Sequence, residues 1–476
     1  MAITTDHADV RTDIGGAPRS VGRPDVVVVG AGLSGMAAAY TLATDGLEVT
    51  VVEAKDRVGG RTHSDGNAQG GPVDLGGMFI GATHHRSRAL GESLGLTAVR
   101  ARPEGSMSYR VDGEVLRASD GGYPEVVAGT DAFDRKLAAA YEQFDEVAER
   151  VGASGPWRRP EDLELDRMTV AAWLDRNVDD PVIRRLMTTD LNIIVGADTS
   201  EMSMLFWAQY VAKCEGMRAL QVTAQDSLWV GGAQQIAERV ADLPGVTVLT
   251  DWPVESVVHG PDGVTVASPR GRLTAPAAVI AVPPSAAHRI DFTPPLPHAR
   301  RQLQARAPMG RETKVQARYA RPFWREAGLS GEIFDLELGY LALDVTRPGD
   351  ECATIVGFIG GRDYDRWAAL SDDERRTAFL ESLTSVLGPE AAEPLAFFET
   401  DWPSVPHTMG APVTVMPPGL LSTTAAALTE SVGPLHFAGT EAAPMWTGYM
   451  EGAVQAGEAA AHRILAIRPV TTPAFR

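Results

Sequence analysis

Consecutive valines run from Val26 to Val29, bounded by Asp25 and Gly30. A strand without polar alternation is one that a sheet buries on both faces. The run breaks at Gly30-Ala31-Gly32-Leu33-Ser34-Gly35, and the helix-favouring MAAAYTLATDG follows. LEVTVVEA then predicts a second buried strand, ending at Glu53 and Ala54. Between residues 130 and 215 the period changes. AFDRKLAAAYEQFDEVAERV, MTVAAWLDRN, PVIRRLMTTDLNIIVG and MSMLFWAQYVAKC repeat apolar residues at spacings of three and four, which predicts helices. SLWVGGAQQIAERVADL starts a further helix after a Gly-Gly turn. GVTVLTDWPVESVVHGPDGVTVAS predicts paired strands, two of them separated by Pro261-Asp262-Gly263. Residues 290 to 400 alternate strands and helices, and LHFAG near the end predicts a strand before a helix of small residues. The pattern is that of an α/β chain without internal repeats.

The first of these units carries chemistry. Strand, glycine turn, helix, strand and acid follow one another. Gly30 permits the tight turn, Gly32 lets a pyrophosphate approach the backbone, and Gly35 lets helix and strand pack closely. The helix N-terminus offers unpaired N–H groups and a positive dipole end to phosphates. Glu53 is placed to accept hydrogen bonds from ribose hydroxyls, and an acid there disfavours a 2′-phosphate. The following residues separate NAD from FAD. Arg57, Gly59, Gly60 and Arg61 form a second glycine pair flanked by guanidinium groups, which suits extended FAD. GPVDLGGMFIGATHHR supplies another turn at Gly76-Gly77-Met78.

Composition narrows the rest. The chain of 476 residues carries 43 basic and 62 acidic side chains, a formal net charge of -19. That balance argues against a nucleic-acid partner, which needs a basic face, and mildly favours a cationic small substrate. Two cysteines, Cys214 and Cys352, make neither a metal spacing nor a disulfide framework. The first 24 residues hold no apolar run and read as a disordered lead-in. No stretch is long and apolar enough to span a bilayer. The expectation is a cytoplasmic protein with no metal and no membrane partner, with a homodimer left open.

The run VVVVGAGLSGMAAAYTLATDGLEVTVVEAKDRVGGRTHS, with VDLGGMFIG, VIAVPP and the terminal FAGTEAAPMWTGYMEGAVQAGEAAA, resembles the flavin-containing monoamine oxidases of the FAD-dependent amine oxidase superfamily. The resemblance spans about residues 25 to 466. It implies a glutathione-reductase-like FAD-binding domain, discontinuous in sequence, plus a mixed-sheet substrate domain with inserted helices. FAD-binding segments would cover 25–85, 226–290 and 406–466. A mostly helical part of the substrate domain would cover 86–225 and its sheet part 291–405, with a tail over 467–476. In relatives the Val of a PVE stretch meets adenine through its backbone, which carries Val254 over. Gly439, Thr440 and Glu441 would lie near the ribityl and phosphate groups, and Gly448, Tyr449, Met450 and Ala453 would close over the flavin.

The resemblance also supplies the catalytic residues. APMGRETKVQARYARPFW matches the family's lysine stretch in register and places Lys314 at the lysine that reaches flavin N5 through a water. Trp402, in DWPSVPHTMGAPVTVMPPG, matches a tryptophan near the flavin. Ala411 stands where animal enzymes carry the cysteine joined to the flavin, so FAD is expected to be held non-covalently. Pro412 stands where they carry the second tyrosine of an aromatic cage, leaving Tyr449 as one wall. Ile193, Ile194, Leu220 and Gln225 match pocket positions by register.

The implied activity is oxidation of a primary or secondary amine to an imine, hydrolysed to aldehyde or ketone, with O2 reduced to H2O2. Reaching the neutral form of a free amine at pH 7 costs about 4 kcal/mol. A dry aromatic pocket favours that form. IIVG, GAPV and WTGYM contain no acid, so the expectation is a pocket without a carboxylate beside the substrate nitrogen. Two alternatives are an L-amino-acid oxidase, for which Arg218 would hold the carboxylate, and an oxidase or desaturase of a secondary metabolite.

Overall fold

The computed structural model describes residues 23–100, 104–118 and 131–467. The expected lead-in and tail lie almost wholly outside the described residues. The valine run forms the strand Val26–Val29 at the centre of a parallel sheet. Its order is Val246–Leu249, Val49–Val52, Val26–Val29, Ala277–Ile280, Leu435–Phe437. Val26 stands opposite both Val49 and Ala277. Helices cover both faces of such a sheet only if each face is apolar, and here they differ. On one face Val26, Val28, Val49 and Val51 meet Met36 and Leu42 of the helix Leu33–Thr44 and Ala460, Ala461 and Ile464 of the helix Met450–Ile467. On the other, Val27, Val29 and Val52 pack against Val257, Val264 and Val266 of a four-stranded ribbon. Pro261 and Asp262 turn between its strands Ser256–Gly260 and Gly263–Ser268, as the pattern predicts.

The second large sheet is mixed and seven-stranded, ordered Ala396–Asp401, Glu312–Tyr319, Ala353–Gly360, Tyr340–Asp344, Leu329–Asp335, Ser106–Val111, Glu114–Ala118. Helices from the periodic region lie beside it. Asp131–Val151, Pro181–Val195 and Met204–Lys213 share one core that includes Phe144, Trp173, Leu186, Leu205 and Trp207. Their ends are chemically marked. Asp180 accepts from the N–H groups of Val182 and Ile183, with Pro181 in the first turn, and Gly196 ends the same helix at φ 70°. Ser203 caps the next helix through the N–H of Phe206.

The strand Glu312–Tyr319 is buried along its whole length yet half polar. Alternation puts Glu312, Lys314, Gln316 and Arg318 on one face. Three of them clasp the segment of residues 69–76. Lys314 Nζ donates to the carbonyls of Asp74 (2.5 Å) and Gly76 (2.7 Å), and Gln316 Nε2 donates to Asp74 O. Arg318 donates to the carbonyls of Gln69, Gly71 and Pro72. The polar face thereby ties the second sheet to the segment that leads out of the first.

Candidate active site

A cavity of about 840 Å³ opens between the two sheets. One end is made of backbone. Gly30, Gly32, Leu33 and Ser34 line it where the helix Leu33–Thr44 begins, and no side chain caps that helix. A Cβ on Gly60 would lie 2.9 Å from Gly32 Cα, so the two glycine turns face each other at a separation that only glycines permit. Glu53, Ala54, Gly59, Arg61 and Val254 join the lining, with Gly76, Gly77 and Met78 further along. The buried Glu53 carboxylate accepts from the N–H groups of Ala31 (2.8 Å) and Lys55 (3.1 Å), which fixes it at the glycine turn. Lys55, also lining the cavity, is lowered to about 8 by burial. Uncapped N–H groups, a positive dipole end, an acid and the Arg61 guanidinium fit the pyrophosphate and ribose of a dinucleotide.

The other end is made of side chains. Lys314 and Trp402 are both 2% exposed and both line it. Burial lowers Lys314 to about 7. Its contacts are the two carbonyls already named and Met78 Sδ at 3.1 Å. The Tyr449 ring stands edge-on to His84 (5.6 Å between centroids) and Trp446 (5.1 Å). Ile193, Ile194, Leu220, Gln225 and Pro412 line the same chamber, as do Gly439, Thr440, Gly448, Met450 and Ala453. Pairing of Gly310 with Ala411 and Val413 brings the 311–314 stretch beside Pro412.

Three residues expected at the cofactor do not line the cavity. Gly35 packs inward; a Cβ there would fall 2.0 Å from Gly30 O. Arg57 turns to its own loop, donating to the carbonyls of Val58, Gly60 and Thr62. The glycine turn gives those carbonyls no backbone donor, and Val58 O accepts from Gln234 Nε2 as well. Glu441 is buried behind the wall, accepting from Thr414 Oγ1 at 2.9 Å and lying 3.6 Å from Arg61.

The expected absence of acid from the pocket is overturned. Asp190, Glu312 and Glu332 line the cavity. Asp190 lies one helical turn before Ile193 and accepts from Tyr141 and Gln221. Tyr210 and Phe358 are further lining residues that motif reading misses. For Glu312 a signal was present, because period two puts it on the face of Lys314.

A family model described as flavin containing amine oxidoreductase matches residues 33–465. The chain belongs to the flavin-containing amine oxidoreductases. FAD is accordingly its cofactor and amine oxidation its chemistry. This amine oxidoreductase is 36% identical over 450 residues to the flavin-containing amine oxidase B of Sus scrofa, covering 93% of this chain and 86% of that one. It is likewise 36% identical over 447 residues to the flavin-containing monoamine oxidase AofH of Mycobacterium tuberculosis, covering 93% and 97%. Among solved structures, cyclohexylamine oxidase from Brevibacterium oxydans superposes with a TM-score of 0.89 at 46% identity, covering 94% of this chain and 99% of that one. Putrescine oxidase bound to putrescine superposes with a TM-score of 0.87 at 32% identity, covering 93% and 99%. Among the described residues, no helix of this oxidoreductase is long and apolar enough to cross a membrane, and no His/Cys/Asp/Glu group could hold a metal ion.

Proposed function

We propose that this enzyme takes two electrons and a proton equivalent from the C–H bond beside the nitrogen of a small primary or secondary amine. The imine is hydrolysed to an aldehyde or ketone, and O2 becomes H2O2. When bound, FAD supplies the two-electron acceptor. The chain's residues supply the rest. Gly30, Gly32, Gly59 and Gly60 would admit the pyrophosphate, with Glu53 at the ribose and Val254 at the adenine. Ile193, Ile194, Leu220, Pro412 and Tyr449 exclude water and orient the amine. Lys314 holds a proton donor at the junction of the two ends. Reaching flavin N5 through a water would require its ammonium to share a donor now given to Asp74, Gly76 or Met78.

The observation that carries this reading is the continuity of the glycine cradle, across Lys314, with a chamber whose walls include Ile193, Ile194, Leu220, Pro412 and the Tyr449 ring. Arg218, which an amino-acid oxidase would use for the substrate carboxylate, is exposed and does not line that chamber. The reading extends to a glutathione-reductase-like FAD domain formed from separated segments, to a cytoplasmic enzyme, and to a homodimer, which light scattering would test. With Ala411 at the position of a linking cysteine, FAD is held non-covalently. Acid precipitation should therefore leave all of the flavin in the supernatant; flavin in the pellet would refute non-covalent binding. A panel of amines beginning with cyclohexylamine, the namesake substrate of the 46%-identical structure, should release peroxide and bleach the flavin. Failure of every amine would refute amine oxidation.

A further inference from the structure

Glu441 sits behind the cofactor wall with only one oxygen of its carboxylate engaged. Its Oε1 accepts from Thr414 Oγ1 at 2.9 Å and lies 3.6 Å from the Arg61 guanidinium. Its Oε2 is buried and has no hydrogen-bond partner among the described residues. Two buried donors share that state. Arg300 and Gln304 stand four residues apart on the helix His298–Arg306, which puts them on one face. Arg300 Nη2 donates to the carbonyl of Glu430, and its guanidinium lies 3.5 Å from the centroid of the Phe437 ring. Its Nε finds no acceptor among the described residues, and neither does Gln304 Nε2. Arg300, Gln304 and Glu441 are 5%, 6% and 4% exposed. Polar atoms this deep cost free energy unless something pairs them.

All three side chains line one small cavity of about 20 Å³. Val282 and Gly439 line both this cavity and the large one, so a single layer of chain divides them. Glu441 Oε2 lies against that layer, since a Cβ on Gly439 would fall 2.7 Å from it. The volume suits one water-sized molecule, and the polar atoms decide which. An occupant must accept from two N–H groups and donate to a carboxylate oxygen. Chloride has no hydrogen to donate and is repelled by the carboxylate. Sodium or ammonium cannot accept. Water does both, and three hydrogen bonds are usual for a buried water. The other lining side chains, Ile280, Leu428 and Phe437 among them, are apolar and offer no competing partner.

Resting on the place of Arg61 at the cofactor, we propose that this cavity binds one water molecule that positions Glu441 behind Arg61. The water accepts from Arg300 Nε and Gln304 Nε2 and donates to Glu441 Oε2. Its effect reaches the cofactor through the other carboxylate oxygen. Arg61 lines the large cavity and donates through Nη1 to the carbonyl of Pro412 at 2.6 Å. Its guanidinium is thus anchored on two sides, by the chamber wall and by a carboxylate that the water holds from behind. Arg300 and Gln304 do not line the large cavity. They are positioning residues, acting through the water and Glu441. The support is independent of the amine, since any flavin chemistry in this cavity would use it.

A crystal structure of the wild-type holoenzyme, at a resolution that shows ordered water, tests the site directly. One peak should lie within about 2.7–3.2 Å of Arg300 Nε, Gln304 Nε2 and Glu441 Oε2. The absence of a peak, a peak that scatters as chloride, or a direct Gln304–Glu441 hydrogen bond that closes the space would overturn the proposal. Two variants test the positioning. Gln304→Leu removes a donor and fills the space, whereas Gln304→Asn keeps the amide and leaves room for the water. In titrations of apoprotein, Gln304→Leu should weaken FAD binding about tenfold, within what a hydrogen bond to a charged group supplies. Gln304→Asn should stay close to wild type. Wild-type FAD affinity in Gln304→Leu, or equal losses in both variants, would also overturn it. None of these measurements uses an amine, so a failure of amine oxidation would show elsewhere.

Discussion

The two ends of the cavity are lined by different means. At the end proposed for the cofactor the lining is largely backbone, glycine turns and the uncapped start of a helix, joined by Lys55, Arg61 and one acid, Glu53, itself fixed by two N–H groups. At the end proposed for the substrate the lining is made of side chains on elements far apart in the chain, among them Ile193, Glu312, Trp402 and Tyr449. A backbone site changes little when side chains change, so it suits a cofactor that every reaction shares. A side-chain site can be altered one residue at a time, so it suits substrate choice. Pro412 and Glu312 show that freedom, one apolar and one ionisable on the same wall.

If this division is right, lesions at the two ends should have separable effects. Lys314→Met should reduce turnover with O2 about 100-fold by removing the donor beside the reacting atoms, as loss of one preorganised donor does elsewhere. It should still purify yellow. Stopped-flow reoxidation and the flavin absorbance together check this, and flavin lost in step with rate would erase the distinction. Glu53→Ala should do the reverse. Loss of charge-assisted hydrogen bonds of about 1.5–3 kcal/mol should weaken FAD binding in titrations of apoprotein, while each bound flavin turns over at the wild-type rate. Tyr449→Leu should slow flavin reduction about tenfold, the upper range for one aromatic face on a cationic or polar group, and change amine affinity less. Equal losses in rate and affinity would mean that the ring binds without orienting.

The smallest effect is on stability. Glu312 is raised to about 8 by burial, so between the acid's ordinary range and pH 8 the folded chain keeps a proton that the unfolded chain gives up. That contribution is fully present in acid and is lost as pH rises through 8. Relative to Glu312→Gln, the wild-type Tm should fall between about pH 5 and 8, by no more than a few degrees. A difference that stays flat across that window would mean the Glu312 side chain titrates normally.

What could be read from the sequence follows the same division. The glycine turn, its helix and Glu53 are contiguous, so their spacing carries their geometry. Lys314, Trp402 and Tyr449 depended on a resemblance that places them by register. Glu312 was passed over because a polar residue on a fully buried strand has two readings until the opposite wall is known. Three of the four polar residues on that face meet the 69–76 segment, and of those three Lys314 also reaches the cavity, which Glu312 lines without touching that segment. Arg57 was misplaced for a related reason. A guanidinium next to a glycine pair has two sets of acceptors, a phosphate or the turn's own carbonyls, and here the carbonyls are nearer.

The parallel sheet has one further consequence, for synthesis. Its strands lie at residues 26–29, 49–52, 246–249, 277–280 and 435–437, with the oldest in the middle. On the ribosome the first two valine-rich strands emerge long before any partner for their open edges exists. At about 5–20 residues per second, the free side of Val26–Val29 stays bare for on the order of ten seconds or longer. An unpaired edge of that composition is a template for other nascent chains. The yield of soluble enzyme should therefore depend on what shelters the N-terminal third while the rest is being translated, a demand that no contact in the finished molecule reveals.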